Sequence, residues 1–172
     1  MSRSDVPSRI PPSTDDPARN MRVQRIENML VVVHTTEAPN DREWRSYLDV
    51  SLAMGRDLGG DLRRGKMLVV TDGGSPGIAQ RSQAVKAAEQ MYGARMPIGV
   101  LSCSRFVRIL VTSAGVVLNM KAFSPPEVQG LFDFLGLSYL AARPVWAELE
   151  RIDRALGGLA TISEARRAFE RW

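Results

Sequence analysis

The residues best placed for chemistry form a loop at 72–77 (DGGSPG), between an apolar stretch and a helical pattern. In open α/β sheets, ligands bind at the carboxyl ends of strands, and helix N-termini attract anions. The Ser75 hydroxyl, beside Asp72, Gly73 and Gly74, is therefore a candidate phosphoacceptor or anion-binding group. The structural alternative is that Ser75 is an N-cap and that the glycines form a tight turn. The loop lacks the Gly-Lys-Ser/Thr ending of a Walker loop and the glycine spacing of a dinucleotide-binding loop.

Two further candidates, Cys103 and His34, are each unique in the chain. Cys103 precedes a predicted helix, whose N-terminus could lower the pKa of a thiol. A tyrosine phosphatase loop places Arg six positions after its Cys, and here that position is Ile109. No Gly-x-Ser-x-Gly elbow presents a serine nucleophile. We expect Cys103 and His34 to be structural residues at strand ends, with a hydrolase or phosphatase using Ser75 or Cys103 as an alternative.

The residue counts exclude several kinds of site. A single Cys rules out an intramolecular disulfide and a Cys-rich zinc site, and a single His rules out a multi-histidine metal site. We therefore expect no metal, no cofactor and no catalytic residues. The formal net charge of +4 is spread along the chain without a dense basic run, so we expect no nucleic-acid partner.

Two pairs of residues are candidates for binding a protein partner. Arg105 and Arg108 flank Phe106 and could form a basic patch for a phosphate or an acidic partner. The alternative is an ordinary solvated face. Phe169 and Trp172 share one face of the last predicted helix. That face either packs on the domain or, if it is left open, is a partner site.

The candidate residues must be positioned by strands and helices, and these alternate along the chain. Strands are predicted at 21–26, 29–33, 67–70, 97–103 and 120–123. Helices are predicted at 40–56, where Asn40 and Glu43 form a capping box, and from Ser75 toward 91. Further helices are predicted after the capping box at 124–127, at 144–156, and from Ser163, the predicted cap of the last helix. The segment 104–118 fits a helix, in which Phe106, Ile109 and Leu110 lie in one apolar stripe, or a β-hairpin, in which Val107, Ile109 and Val111 alternate. The alternation of elements favours the helix.

This pattern predicts an α/β fold with a central, mostly parallel sheet of four or five strands flanked by helices. We expect a disordered tail at 1–20, a domain at 21–136 and a C-terminal helical extension at 137–172. The tail has no apolar stretch typical of a signal peptide, and no apolar run reaches the ~20 residues that span a bilayer. These features predict a cytoplasmic protein without a membrane span.

Three stretches resemble the STAS superfamily, the domain shared by sulfate transporters and anti-sigma factor antagonists. They are the opening strand and helix at 28–33 (NMLVVV) and 43–48, the segment 97–108 (PIGVLSCSRFVR), and 120–127 (MKAFSPPE) before an apolar helix. The resemblance is closest to the SpoIIAA-like, SEC14-related branch and covers about residues 21–136.

The resemblance implies a non-catalytic interaction or regulatory module, bacterial in origin, that binds a protein partner. Anti-sigma factor antagonists are phosphorylated on a serine within an Asp-Ser-Ser-Gly segment, and 72–77 is the comparable stretch here. Asp72, Ser75 and a glycine correspond in kind, whereas Pro76 departs from that pattern. The relation to SEC14 domains implies an alternative, a carrier or sensor of a small apolar or anionic ligand. The oligomeric state stays open.

Overall fold

The computed structural model describes residues 19–89, 96–115 and 119–172. The predicted tail at 1–20 therefore lies outside the described residues except for its last two positions. The end of the helix predicted to run toward 91 and the end of the segment 104–118 also lie outside them.

Five strands and six α-helices make up the described chain. The strands are β1 (Met21–Ile26), β2 (Met29–His34), β3 (Lys66–Thr71), β4 (Ile98–Leu101) and β5 (Met120–Phe123). The helices are α1 (Asp41–Asp57), α2 (Ile78–Glu89), α3 (Arg105–Gly115), α4 (Val128–Phe134), α5 (Tyr139–Leu156) and α6 (Ala160–Glu170). Short 3₁₀ turns occupy Leu62–Arg64 and Pro125–Glu127.

The five strands form one sheet whose spatial order follows the chain from β1 to β5. β1 is antiparallel to β2, and the other three pairings are parallel. The fold is thus α/β with a mostly parallel sheet, as predicted. The ambiguous segment is the helix α3, because a parallel β4–β5 pair needs a crossover, which a hairpin cannot supply.

The sheet buries both faces, which explains why β2 is almost wholly apolar. Met29, Val31 and Val33 contribute to a core shared with α4, α5 and α6. Leu30 and Val32, whose side chains point to the opposite face, contact residues of α1. The strand β2, whose length and β-branched residues predict a strand, therefore packs against both helical layers.

The C-terminal helices belong to the same core as the sheet. Phe132 of α4, Leu149 of α5 and Ile162 of α6 are all buried in the cluster that contains Val31 and Leu101. The predicted boundary near residue 136 therefore does not separate two cores. The last two helices cover the sheet and complete the apolar layer begun by α4.

Two helix starts in the C-terminal part of the chain differ from those predicted. α5 begins at Tyr139, with the Ser138 hydroxyl accepting from the Ala141 N–H at 3.4 Å, and Pro144 lies inside it. Proline leaves the carbonyl four residues earlier without its helical donor, but that carbonyl belongs to exposed Leu140, where water can satisfy it. α6 begins at Ala160, three residues before the predicted cap Ser163.

The start of α1 agrees with the predicted capping box. The Asn40 side chain accepts from the Glu43 N–H at 2.9 Å, and the Glu43 carboxylate accepts from the Asn40 N–H at 2.8 Å. The same carboxylate also accepts the backbone N–H groups of Arg19 and Asn20, each at 2.8 Å. Glu43 thereby fixes the chain entering β1 to the first turn of α1.

Candidate functional site

Asp72, the acidic residue of the predicted anion loop, caps a distant helix. Its two carboxylate oxygens accept the N–H groups of Ala160 at 2.7 Å and Thr161 at 2.9 Å, at the first turn of α6. A carboxylate at a helix N-terminus satisfies unpaired donors and interacts favourably with the helix dipole. Asp72 therefore holds α6 against the carboxyl end of β3.

The glycines of this loop are needed for space and backbone geometry. A Cβ on Gly74 would lie 2.3 Å from the Glu37 carbonyl oxygen and 2.5 Å from that of Thr35. Gly73 has φ +133°, a conformation that other residues rarely adopt. The loop thus packs tightly against the chain that follows β2.

Ser75 lies exposed beyond these glycines and does not cap α2. α2 begins at Ile78, and the Gly77 N–H donates to the Gln80 side chain at 2.9 Å, so the helix start is organised around Gly77. The N-cap interpretation of Ser75 is therefore wrong, because two residues separate its hydroxyl from the first turn. Its hydroxyl is open to solvent.

A hydrogen-bond network closes the carboxyl ends of β3 and β4. The Thr71 carbonyl accepts from the hydroxyls of Ser102 at 2.7 Å and Thr161 at 3.1 Å. Thr161 in turn accepts the Cys103 N–H at 3.0 Å, and the Cys103 thiol lies 4.0 Å from Asp72. The edge where α/β folds hold ligands is here filled by contacts with α6.

His34 is the last residue of β2 and is only 4% exposed. Its Nδ1 has no hydrogen-bond partner. Burial lowers the pKa of the imidazole to about 4, although the nearby Glu43 carboxylate acts in the opposite direction. In the part of the chain that is described, no hydrogen bond joins His34 to Ser75 or Cys103.

The outward face of α3 carries large apolar side chains. Phe106, Ile109 and Leu110 are 70%, 56% and 54% exposed, whereas Val107 and Val111 are the half-buried residues that face the sheet. An amphipathic helix on a domain surface ordinarily buries its larger apolar side chains. The helical stripe recognised in the sequence therefore lies on the opposite side from the core.

A second exposed apolar residue lies at the same end of the helical layer. Ile78, the first residue of α2, is 80% exposed. Because β3 and β4 are parallel neighbours, α2 and α3 both begin at the carboxyl edge of the sheet. We call the exposed side chains of Ile78, Phe106, Ile109 and Leu110 the α2–α3 apolar surface.

The two arginines of α3 have different environments. Arg108 donates to the carbonyls of Ser102 at 2.6 Å and Cys103 at 3.0 Å, so it stabilises the turn after β4. Arg105 is exposed at the start of the helix. Both line a surface groove of about 360 Å³ together with Ile109, Thr112 and Ser113. Of the two cations of the predicted basic patch, Arg108 is thus hydrogen-bonded to the backbone and Arg105 is exposed.

The aromatic residues of the last helix pack within the domain. Phe169 is buried, with its ring centroid 4.5 Å from that of Trp146. Trp172 stacks on Phe132 with the centroids 5.8 Å apart. The sequence allowed this helix face either to pack on the domain or to bind a partner. In the structure it packs on the domain, and Phe169 is inaccessible to a partner.

Sequence reasoning missed the outward orientation of the α3 stripe. The available signal was that α3 is apolar on more than one side, since Val107 and Val111 provide a second, smaller apolar face. It also missed Asp72 as a cap, because Asp72 and Thr161 are 89 positions apart. Only the close approach of α6 to the end of β3 identifies that contact.

Comparisons of this chain with protein-family models, curated proteins and solved structures found no match. No grouping of three or more His, Cys, Asp or Glu side chains suited to a metal ion occurs at 19–89, 96–115 or 119–172. Within the same ranges, no helix has the length and apolarity needed to cross a bilayer. The α2–α3 apolar surface is the candidate site that the exposed apolar side chains define.

Proposed function

We propose that this protein is a non-catalytic, STAS-like interaction module that binds a protein partner through the α2–α3 apolar surface. The observation that carries the proposal is the exposure of Phe106, Ile109 and Leu110 on one helix face. Exposed apolar side chains that cluster mark interaction sites more often than scattered ones do. A regulatory role in the bacterial cytoplasm follows from the resemblance and is part of the same proposal.

The arrangement around the polar candidates supports a binding role over catalysis. Asp72 is hydrogen-bonded to α6, Arg108 is hydrogen-bonded to backbone carbonyls, and the His34 imidazole is buried. General acid–base chemistry needs a titratable group within reach of a substrate. These three groups are used in structural contacts or are shielded from solvent.

The groove on α3 offers less support for a small-ligand carrier. Among the described residues, all five that line it belong to one helix, which is typical of a depression on the surface. Sites for small molecules usually enclose most of the ligand. A flat, exposed face fits a protein partner better.

Ser75 remains the proposed phosphoacceptor of this module. It is exposed in the loop before α2, close in sequence to Ile78 at the rim of the α2–α3 apolar surface. A phosphate would add about −1.5 to −2 charges there and change the affinity of an adjoining interface. Intact-mass analysis of wild type and Ser75→Ala after incubation with ATP and cell extract tests this role, and equal phosphorylation of both would contradict it.

Site-specific photo-crosslinking in cells tests the docking surface. A photoreactive residue at position 106 or 109 is expected to give the same discrete adduct, and one at position 140 none. Leu140 is the matched control because it is 74% exposed on α5, which packs on the other face of the sheet. The partner identified in the adduct is then purified, and its affinity for this protein is measured. Phe106→Ser is expected to weaken that affinity about tenfold or more. Equal crosslinking at all three positions, or unchanged affinity in Phe106→Ser, would contradict the proposal.

A further inference from the structure

We infer that the partner contributes an acidic amphipathic segment, in which apolar side chains meet the α2–α3 apolar surface and flanking carboxylates meet its cations. The inference rests on the proposed docking role and adds the chemistry of the partner. It follows from the exposed arginines that α2 and α3 carry beside the surface. One carboxylate, that of Glu127, lies within electrostatic range of Arg108, so Arg105 and Arg81 are the cations on which the inference depends.

The two helices that form the surface carry cations where they adjoin it. α3 contains Arg105 and Arg108 and has no Asp or Glu (RFVRILVTSAG). In α2, Arg81 is exposed one turn after Ile78, and the only carboxylate, Glu89, is its last residue. Within these two helices, the apolar side chains are thus bordered by arginines without intervening acidic residues.

Arg105 is the cation best placed to meet a partner. It is exposed and, among the described residues, has neither an ion pair nor a hydrogen bond through its side chain. It lines the same groove as Ile109, which is part of the apolar surface. A guanidinium can bind a carboxylate with two parallel hydrogen bonds, which gives orientation as well as affinity.

The charge pattern argues against a second copy of this chain as the occupant. A two-fold symmetric contact uses the same patch on both subunits. Such a contact would bring Arg105 and Arg81 of both copies to one interface without carboxylates from α3 to balance them. Like charges placed opposite one another oppose association. A partner with the opposite charge avoids this repulsion.

Selection from a random peptide library tests the inference even while the natural partner is unidentified. Displayed 16-residue peptides are selected for binding to the full wild-type chain and counter-selected against Phe106→Ser. The expected result is enrichment of peptides with spaced apolar residues and a negative net charge. For one enriched peptide, Arg105→Glu should weaken binding about tenfold and Arg105→Lys should weaken it less, because the charge is kept and the paired hydrogen bonds are lost. Leu140→Ser should change the affinity less than about twofold.

The outcomes separate this inference from the proposed function. Enrichment of neutral or basic peptides, or an affinity unchanged by Arg105→Glu and by a rise in salt, overturns the acidic partner but leaves the docking surface in place. No enrichment over the Phe106→Ser counter-selection overturns both. Sedimentation of the wild type alone provides the third arm: a dimer that Phe106→Ser dissociates would identify a second copy as the occupant and overturn the inference.

Discussion

His34 shows how burial changes the properties of a residue that could have served as a base. It ends β2 beneath the first turn of α1, with its Nδ1 lacking a partner, and its pKa is lowered to about 4 by desolvation. At neutral pH the imidazole is therefore uncharged in the folded chain and mostly uncharged in the unfolded chain. Protonation of His34 therefore affects the free energy of unfolding.

Acidification should destabilise the fold through this one histidine. The unfolded chain takes up a proton near pH 6.5, whereas the folded chain does so only near pH 4, so the free energy of unfolding falls as pH drops through that window. A difference of this size corresponds to about 3 kcal/mol once pH is below both values. Between pH 7 and 5 about 2 kcal/mol of this difference should develop, and urea unfolding of wild type and His34→Gln over that range measures it.

The wild type is expected to lose stability over that range, and His34→Gln is expected to lose clearly less. Because the chain has one histidine, NMR of its imidazole C–H signals gives an independent check. A His34 titration midpoint near 6.5 in the folded protein would contradict the effect of burial.

The start of α6 illustrates how an element can depend on a residue far away in sequence. Local pattern points to Ser163 as the cap, but the helix begins at Ala160 and its first N–H groups donate to Asp72. Asp153 also accepts the Leu159 N–H at 2.5 Å, so the turn between α5 and α6 is fixed from two sides. A cap supplied across the fold couples the position of α6 to the end of β3.

Asp72→Ala should destabilise the protein by about 2 kcal/mol, because two N–H groups at the start of α6 lose a charged acceptor. Ser163→Ala is the matched control. It removes the predicted cap but changes only an exposed position inside the helix, so its effect should stay within about 0.5 kcal/mol. Chemical denaturation followed by circular dichroism measures both. A larger effect for Ser163→Ala would contradict the observed helix start.

At the scale of the whole molecule, the sheet joins two helical layers into one unit. Trp44 of α1 packs with Val32 on one face, whereas Trp146 of α5 lies in the core on the other face. Because the strands of one sheet support both layers, neither layer keeps its apolar partner if the sheet is lost. The layers are therefore expected to unfold together.

Tryptophan fluorescence can test this cooperativity from each side of the sheet. Trp44→Phe leaves Trp146 and Trp172 as reporters of the C-terminal helices, and Trp146→Phe combined with Trp172→Phe leaves Trp44 to report on α1. Within each variant, the denaturant midpoint from fluorescence should coincide with that from circular dichroism. An earlier, separate transition for the C-terminal helices would instead support an independent unit at 137–172.

The amino-acid sequence alone determined the elements whose signals are local. The buried strands β2 and β3 follow from continuous apolar runs, and the start of α1 follows from Asn40 and Glu43 three positions apart. The helix after Ser124 follows from a capping box with proline in its first turn. Their alternation predicted the α/β class, because parallel neighbours need helical crossovers.

Tertiary structure alone decided the features that depend on contacts between distant residues. In the folded chain Asp72 caps α6, Phe169 lies inside the core, and Phe106 and its apolar neighbours are exposed. A periodic pattern gives the spacing of side chains around a helix, but the side that is buried depends on which surface the helix meets. In α3 the smaller side chains of Val107 and Val111 are half-buried, whereas the larger apolar side chains are exposed.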